Sequence, residues 1–285
     1  MSSNFSIFLF DKDENITSFS SLGKFKREHR GEKVGHAGTL DKFASGLMIC
    51  MIGGATKLNP IFSSFDKSYR AELLFGSETD TLDREGIVVK KSTTIPTYEE
   101  IKSVLPSFIG KQKQVPPLYS AIHVNGERAY IEARKNHEVD LPERDIEIYD
   151  INLVSYSDNK AIIDCSVSKG TYIRSLARDI SYRLNTCGHL VNLRRTQVGP
   201  FKLSDVGLSN RELLDKTGLF GTYRVSSKYK KEIDNGFIRR ENLIKEDDKP
   251  TQFGYLYMDN ELYGYIEVLD KVKVLTRVWN ERVQF

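Results

Sequence analysis

Gly35-His36-Ala37-Gly38-Thr39-Leu40-Asp41-Lys42 runs directly into Phe43-Ala44-Ser45-Gly46-Leu47-Met48-Ile49-Cys50-Met51-Ile52-Gly53-Gly54. The first stretch is too rich in glycine for a regular helix or strand. Its backbone can approach a ligand closely, because glycine lacks a Cβ and tolerates positive φ. The second stretch is almost wholly apolar and small, which marks a buried element. Asp41 therefore stands at the lip of a core segment, a setting common in active sites. The plainer reading makes Asp41 a helix N-cap, its carboxylate accepting from an orphan backbone N–H. His36 alone reads equally well as a turn or packing residue. Spacing within the segment does not decide between these readings.

The blocks that follow do. Gly53-Gly54-Ala55-Thr56-Lys57 closes the apolar run, and Lys67-Ser68-Tyr69-Arg70 opens a strand-like segment. Thr79-Asp80-Thr81-Leu82-Asp83-Arg84-Glu85-Gly86, Pro116-Pro117-Leu118-Tyr119-Ser120-Ala121 and Asn125-Gly126-Glu127-Arg128-Ala129-Tyr130 come next. Lys169-Gly170-Thr171-Tyr172-Ile173-Arg174-Ser175-Leu176 and Leu193-Arg194-Arg195-Thr196 complete the series. A lone glycine-rich motif carries little weight, but this ordered series spreads over more than half of the chain. It resembles the TruB family of bacterial tRNA pseudouridine-55 synthases, whose signature reads Gly-His-Thr-Gly-Thr-Leu-Asp-Pro-x-Ala-Thr-Gly. The chain departs from that signature at Ala37 for threonine and at Lys42 for proline. Lys12-Asp13-Glu14-Asn15 replaces the usual Lys-Pro-x-Gly, and His123 stands where lysine is usual. None of these changes removes an acid, aromatic or arginine assigned to the chemistry.

Composition sets the outer bounds. The 285 residues suffice for one large core or two domains. A hydrophobic content of 39% beside 28% charged residues describes an ordinary globule. The apolar run at 47–52 is far short of the roughly 18–20 residues that a membrane span needs. The N-terminus lacks a basic region followed by an apolar core and cleavage site, so export is not expected. Cys50, Cys165 and Cys187 are odd in number and lack metal-ligand spacing, which fits reduced thiols in the cytoplasm. A net charge of +3 is too small to announce nucleic-acid binding. Basic clusters at 24–30, 194–195 and 224–231 permit a phosphate-contacting surface without establishing one.

The pattern along the chain is α+β. Phe19, Leu22 and Phe25 share a helical face behind Thr17 or Ser18 as cap. Tyr69, Ala71, Leu73 and Phe75 alternate with Arg70 and Glu72 as in a half-buried strand. Thr97-Tyr98-Glu99-Glu100 is a capping box before an apolar stripe of Ile101, Val104, Leu105 and Phe108. Asn125-Gly126 suggests a tight turn into a helix over 127–135. Strands are expected over 144–155 and 160–168, and a helix carrying Ile173, Leu176, Ile180 and Leu184 would end at Gly188. After about residue 225 the texture changes. A polar stretch at 241–252 precedes strand-like segments at 253–258, 262–269 and 272–279. The chain thus divides into residues 1–225, the catalytic domain by resemblance, and residues 226–285, a small β domain. The resemblance implies a large mixed, mostly antiparallel sheet with flanking helices around a central cleft. It also implies that the C-terminal unit is a short or divergent PUA-like RNA-binding module.

The same resemblance implies the chemistry. The C1′–N1 bond of uridine is cut, the uracil turns, and it is rejoined through C5, with no redox change, cofactor or metal. Asp41 would be the nucleophilic carboxylate. Arg174 would pair with it, its guanidinium fork fixing charge and direction together; without its Gly170-Thr171-Tyr172-Ile173 context it would read as an exposed helical arginine. Tyr69 would stack on the flipped base and assist removal of the C5 proton, and Leu193 would pack beneath that base. Core packing is the ordinary role for both. Asp83 or Asp80 would organise the cleft or cap a turn. Gly38 and Thr39 belong to the substrate-binding loop, and His36 would fill the stack vacated by the extruded uridine. The target implied is uridine 55 in the T stem-loop of tRNA, acted on by a cytoplasmic monomer with no membrane partner. Two other readings compete: an RNA-binding or tRNA-folding protein whose catalysis is weak or lost, and a guide-dependent synthase acting on ribosomal RNA.

Overall fold

The apolar run after Asp41 forms a strand, and both layers of the molecule are built on it. The computed structural model describes residues 5–120, 123–124, 127–128, 141–246, 251–268 and 272–277. The chain starts with strand β1 (Phe5–Lys12), short helices α1 (Ser18–Ser21) and α2 (Gly23–Glu28), and strands β2 (Val34–Ala37) and β3 (Ser45–Gly53). Helix α3 (Asn59–Ser64) leads into β4 (Lys67–Phe75), which is followed by a hairpin of β5 (Ser77–Thr79) and β6 (Val88–Lys91). Next come α4 (Tyr98–Val104), β7 (Gly110–Gln114), and the short pair β8 (His123–Val124) and β9 (Glu127–Arg128). The long pair β10 (Arg144–Ser157) and β11 (Lys160–Val167) precedes α5 (Ile173–Arg183), β12 (Gly188–Val198) and β13 (Phe201–Lys202). The remainder comprises α6 (Asn210–Lys216), β14 (Phe220–Val225), α7 (Lys230–Asp234) and β15 (Phe237–Ile238). It ends with β16 (Ile244–Lys245), β17 (Phe253–Met258), β18 (Glu261–Val268) and β19 (Val272–Arg277).

The main sheet runs β1-β3-β12-β4-β11-β10-β7, with β2 added to β3 and β13 to β12. Every pairing is antiparallel except β3 with β12, so the sheet is mixed and mostly antiparallel. Strand β3 is buried on both faces. Met48 and Cys50 enter a core shared with α5, β4 and β11. Leu47, Ile49 and Met51 enter a second core shared with the smaller sheet. That double burial is why its sequence shows an unbroken apolar run instead of alternation.

The smaller sheet has the order β15-β19-β18-β17-β14-β16. Its strand β14 comes from before residue 226, so it draws on both sides of the expected boundary. Phe253, Tyr255, Tyr265 and Leu275 pack on Phe5, Ile7 and Leu9 of β1, and the Phe5 and Tyr265 rings stack at 3.8 Å. Removing residues beyond 230 would strip the cover from that core. At ~1.5–3 kcal/mol for each large side chain returned to water, the loss exceeds ~5 kcal/mol. Thermal denaturation of the truncated chain should therefore show a midpoint lowered by ~10 °C or more. An unchanged midpoint would mean that the main sheet is stable without its cover.

Several local expectations are corrected. Asp41 caps no helix, because the next element is a strand. Helix α5 ends at Arg183, not at Gly188, which instead starts β12. Asn185 takes φ 55°, and the N–H groups of Asn185 and Thr186 donate to the carbonyls of Tyr182 and Ser181. Asparagine tolerates this left-handed geometry well enough to close the helix where glycine was expected. Thr17 does cap α1, its side-chain oxygen accepting from the Ser20 N–H, but Phe19 is 71% exposed while Leu22 is buried. The short α1–α2 break turns Phe19 out of the common face. Glu127 and Arg128 are strand residues, and the rest of the helix expected over 127–135 and the turn at 125–126 lie outside the described residues.

Candidate active site

Asp41 sits in the loop between β2 and β3, and the backbone on either side of it is tied down. The Ser18 hydroxyl donates to the Leu40 carbonyl and accepts from the Leu40 N–H, both at 2.9 Å. Lys12, wholly buried, donates to the carbonyls of Asp13 at 2.9 Å, Ile16 at 2.7 Å and Lys42 at 3.4 Å. The Leu40 and Phe43 side chains are buried in the main core. Asn15, at the position of the usual family glycine, takes φ 64°, a conformation asparagine accepts. Lys42 faces outward and meets Glu85 at 3.1 Å. The departures from the signature thus leave the loop anchored.

Arg174 comes from the first turn of α5 and meets Asp41 head on. Its Nη2 donates to Oδ1 at 3.2 Å, and its Nε stands 3.0 Å from Oδ2 as an ion-pair contact without hydrogen-bond geometry. The same guanidinium donates to the Thr81 carbonyl at 2.9 Å and the Tyr119 carbonyl at 3.0 Å. Asp83 lies 3.4 Å from its Nη1. Asp83 is itself held by the Thr81 hydroxyl at 2.7 Å and the Glu85 N–H at 2.9 Å. Asp80 instead accepts from the Ile87 N–H and closes the turn, which separates the two aspartates left open by the sequence. Burial raises the Asp41 carboxyl above its ordinary pKa; Arg174 pulls it down, and Asp83 and Glu85 push it up.

The start of α5 is fixed from β7. Gln114, buried, accepts from the Tyr172 N–H at 2.9 Å and donates to the Tyr172 carbonyl at 3.1 Å. The Ser175 hydroxyl donates to the Val115 carbonyl at 2.8 Å. These bonds hold the residues on either side of Arg174, whose own side chain is 6% exposed.

Asp41 and Arg174 open onto a cleft of about 520 Å³, within the ordinary range for small-ligand sites. Gly38, Thr39, Tyr69 and Leu193 line it with them. Burial raises the pKa of the Tyr69 hydroxyl, and Arg195 works against that rise. His36 and Asp83 are absent from the lining. His36 lies on β2 opposite Cys50, with its Nδ1 buried and unpartnered. Burial, then Arg195 and Lys26, hold its imidazole below the usual pKa. Among the described residues no group of three or more His, Cys, Asp or Glu side chains is placed to hold a metal ion.

Two of the charged lining residues have no catalytic or base-binding role expected from the sequence. Arg195 and Lys67 are both buried cations on the cleft wall. Arg195 pairs across the sheet with Tyr69, a neighbour relation set by the β4–β12 register. Both sat in motifs already quoted, but only strand pairing brings them to the site.

The family profile described as the TruB family pseudouridylate synthase N-terminal domain matches residues 26–173. That of the tRNA pseudouridylate synthase B C-terminal domain matches residues 174–221. The chain is 43% identical over 239 residues to the tRNA pseudouridine synthase B of Borreliella burgdorferi (strain ZS7), covering 83% of each. It is 42% identical over 206 residues to the protein of the same name from Caulobacter vibrioides, covering 72% of this chain and 66% of that one. Among solved structures, an H/ACA RNP bound to a substrate RNA containing 2′-deoxyuridine superposes with a TM-score of 0.62 at 19% identity. The match covers 98% of this chain and 86% of that one, and shows a common fold.

Proposed function

The chain belongs to the TruB family of pseudouridylate synthases, and from that membership we propose that its cleft converts a uridine of tRNA to pseudouridine. The activity is an isomerisation: the uracil leaves C1′ by N1 and returns by C5. The observation that carries the reading is the meeting of Asp41 with Arg174 beside Tyr69 in one cleft. A carboxylate needs both charge and aim to act on a sugar carbon. Arg174 supplies both, because two of its nitrogens face the two oxygens of Asp41.

The uridine must leave its stack to reach this wall, at an unstacking cost of a few kcal/mol. In this reading the extruded base lies between Tyr69 and Leu193, with C1′ against Asp41. Asp83 is a positioning residue, since it touches Arg174 and not the open cleft. His36 takes the place of the departed base in the RNA, and Gly38 and Thr39 let the loop backbone close on the nucleotide. The target is the T-loop uridine 55, and the enzyme works as a cytoplasmic monomer without a cofactor. No helix among the described residues is long and apolar enough to cross a membrane.

An RNA hairpin holding only the T stem and loop tests the specificity. Conversion at a rate comparable to full tRNA is expected, since every residue assigned here lies around one nucleotide. Conversion of tRNA but not of the hairpin would place recognition elsewhere on the substrate.

A further inference from the structure

Among the described residues, Arg195 and Lys67 are cations that form no ion pair. Arg195 is 1% exposed, its Nε donating to the Leu47 carbonyl at 2.7 Å and its Nη2 to the Gly38 carbonyl at 3.0 Å. Lys67 is 8% exposed and donates to the carbonyls of Ser63, at 2.8 Å, and Phe65. Among the described residues no carboxylate stands within ion-pair distance of either, whereas Arg174 faces both Asp41 and Asp83. The two converge on one spot. A carbon built on Gly38 in the Cβ position would lie 3.4 Å from Arg195 Nη1 and 3.9 Å from Lys67 Cε. Neither carbonyl bond of Arg195 uses that Nη1. Gly38 belongs to the loop that carries Asp41 and takes φ +79°.

Two buried positive charges side by side, hydrogen-bonded to backbone carbonyls and offset on Lys67 only in part by the charge of Asp66, are costly in a resting protein. Burial first, and Arg195 second, bring the Lys67 pKa down to about 8. Such a pair is well suited to an anion that exists only during turnover, because fixed charge in a dry site acts on it without reorganising. Resting on the pseudouridine synthase reading, we propose that Arg195 and Lys67 form an anion site for the uracil ring while it is detached from the sugar.

The C1′–N1 bond breaks with its electron pair passing to the uracil, while an Asp41 oxygen bonds to C1′. The ring anion shares its charge among N1, O2 and O4, and its oxygens face Arg195 and Lys67. After the ring turns, C5 attacks C1′ and the Asp41 carboxylate leaves with its electron pair. The C5 proton is then lost and N1 gains one, so charge and atoms are conserved. Arg174 remains paired with Asp41, and the second cation pair holds the departing base.

The test compares Arg195→Gln, Lys67→Gln and the charge-retaining Lys67→Arg with wild type. Each is assayed in single turnover and in equilibrium binding, on one RNA with uridine and one with 5-fluorouridine at the target. Fluorine at C5 withdraws electrons and stabilises the ring anion without help from the protein. The glutamine variants should break the C1′–N1 bond ~10²-fold more slowly on uridine RNA, the usual scale for one lost oxyanion donor. RNA affinity should be unchanged, Lys67→Arg should keep most of the rate, and the deficit should shrink several-fold on the fluorinated RNA. If Arg195→Gln does not fold, having lost its hold on Gly38 and Leu47, the Lys67 variants carry the comparison. Equal deficits on both RNAs would overturn the proposal. So would a loss confined to binding with a salt dependence altered from wild type, which would make the pair a phosphate contact. Wild-type conversion in the same assay secures the functional reading separately, and inactivity of wild type on both RNAs overturns that reading too.

Discussion

Asp41→Asn should lower single-turnover pseudouridine formation by ~10⁴-fold or more, the scale on which loss of a covalent catalyst is felt, with RNA affinity changed no more than a few-fold. Asparagine has the same shape, so the loop held by Ser18, Lys12, Leu40 and Phe43 has no reason to move. Arg174 would keep its bonds to the Thr81 and Tyr119 carbonyls. Only the nucleophilic charge is removed. The wild-type rate carries a companion signature in pH. Desolvation raises the Asp41 pKa despite Arg174, and the protonated carboxyl is no nucleophile. The rate should therefore fall on acidification with a midpoint above the ordinary aspartate value. Near-normal turnover by the variant would remove Asp41 from the chemistry.

Arg174→Lys should cut the rate by ~10²-fold or more, since displacing a reacting group by about 1 Å is enough for that loss. One guanidinium here meets both oxygens of Asp41, stands near Asp83, and donates to two carbonyls. A lysine ammonium keeps the charge but is a single point with three donors, without the planar fork. It cannot face both oxygens of Asp41 and also satisfy Thr81 and Tyr119. The nucleophile would keep a counter-charge and lose its aim. Single-turnover rates beside melting curves separate the effects: a slow but normally stable variant is expected. An unchanged rate would make Arg174 a structural residue.

The ordered motifs made the fold class and the Asp41–Arg174 meeting legible in sequence. Strands at 144–155, 160–168 and 253–258 were legible too, because alternation and turn residues are local signals. What stayed hidden depends on distant pairing. Nothing in the sequence shows that β4 and β12 bring Lys67 and Arg195 to one cleft wall. Nothing near Ser18 announces that its hydroxyl clasps Leu40. The unbroken apolar run of β3 signalled burial but not that two separate cores bury it. His36, placed by motif beside the substrate loop, stands on β2 outside the cleft lining, a placement that spacing does not encode.

The most direct test is nucleotide-resolved mapping of pseudouridine in an unmodified tRNA transcript, with wild type beside Asp41→Ala. An Asp41-dependent synthase predicts conversion of the T-loop uridine by wild type alone, with both proteins binding the transcript. Tight binding without conversion by either would contradict it, leaving an RNA-binding protein that carries the cleft of an enzyme without its reaction.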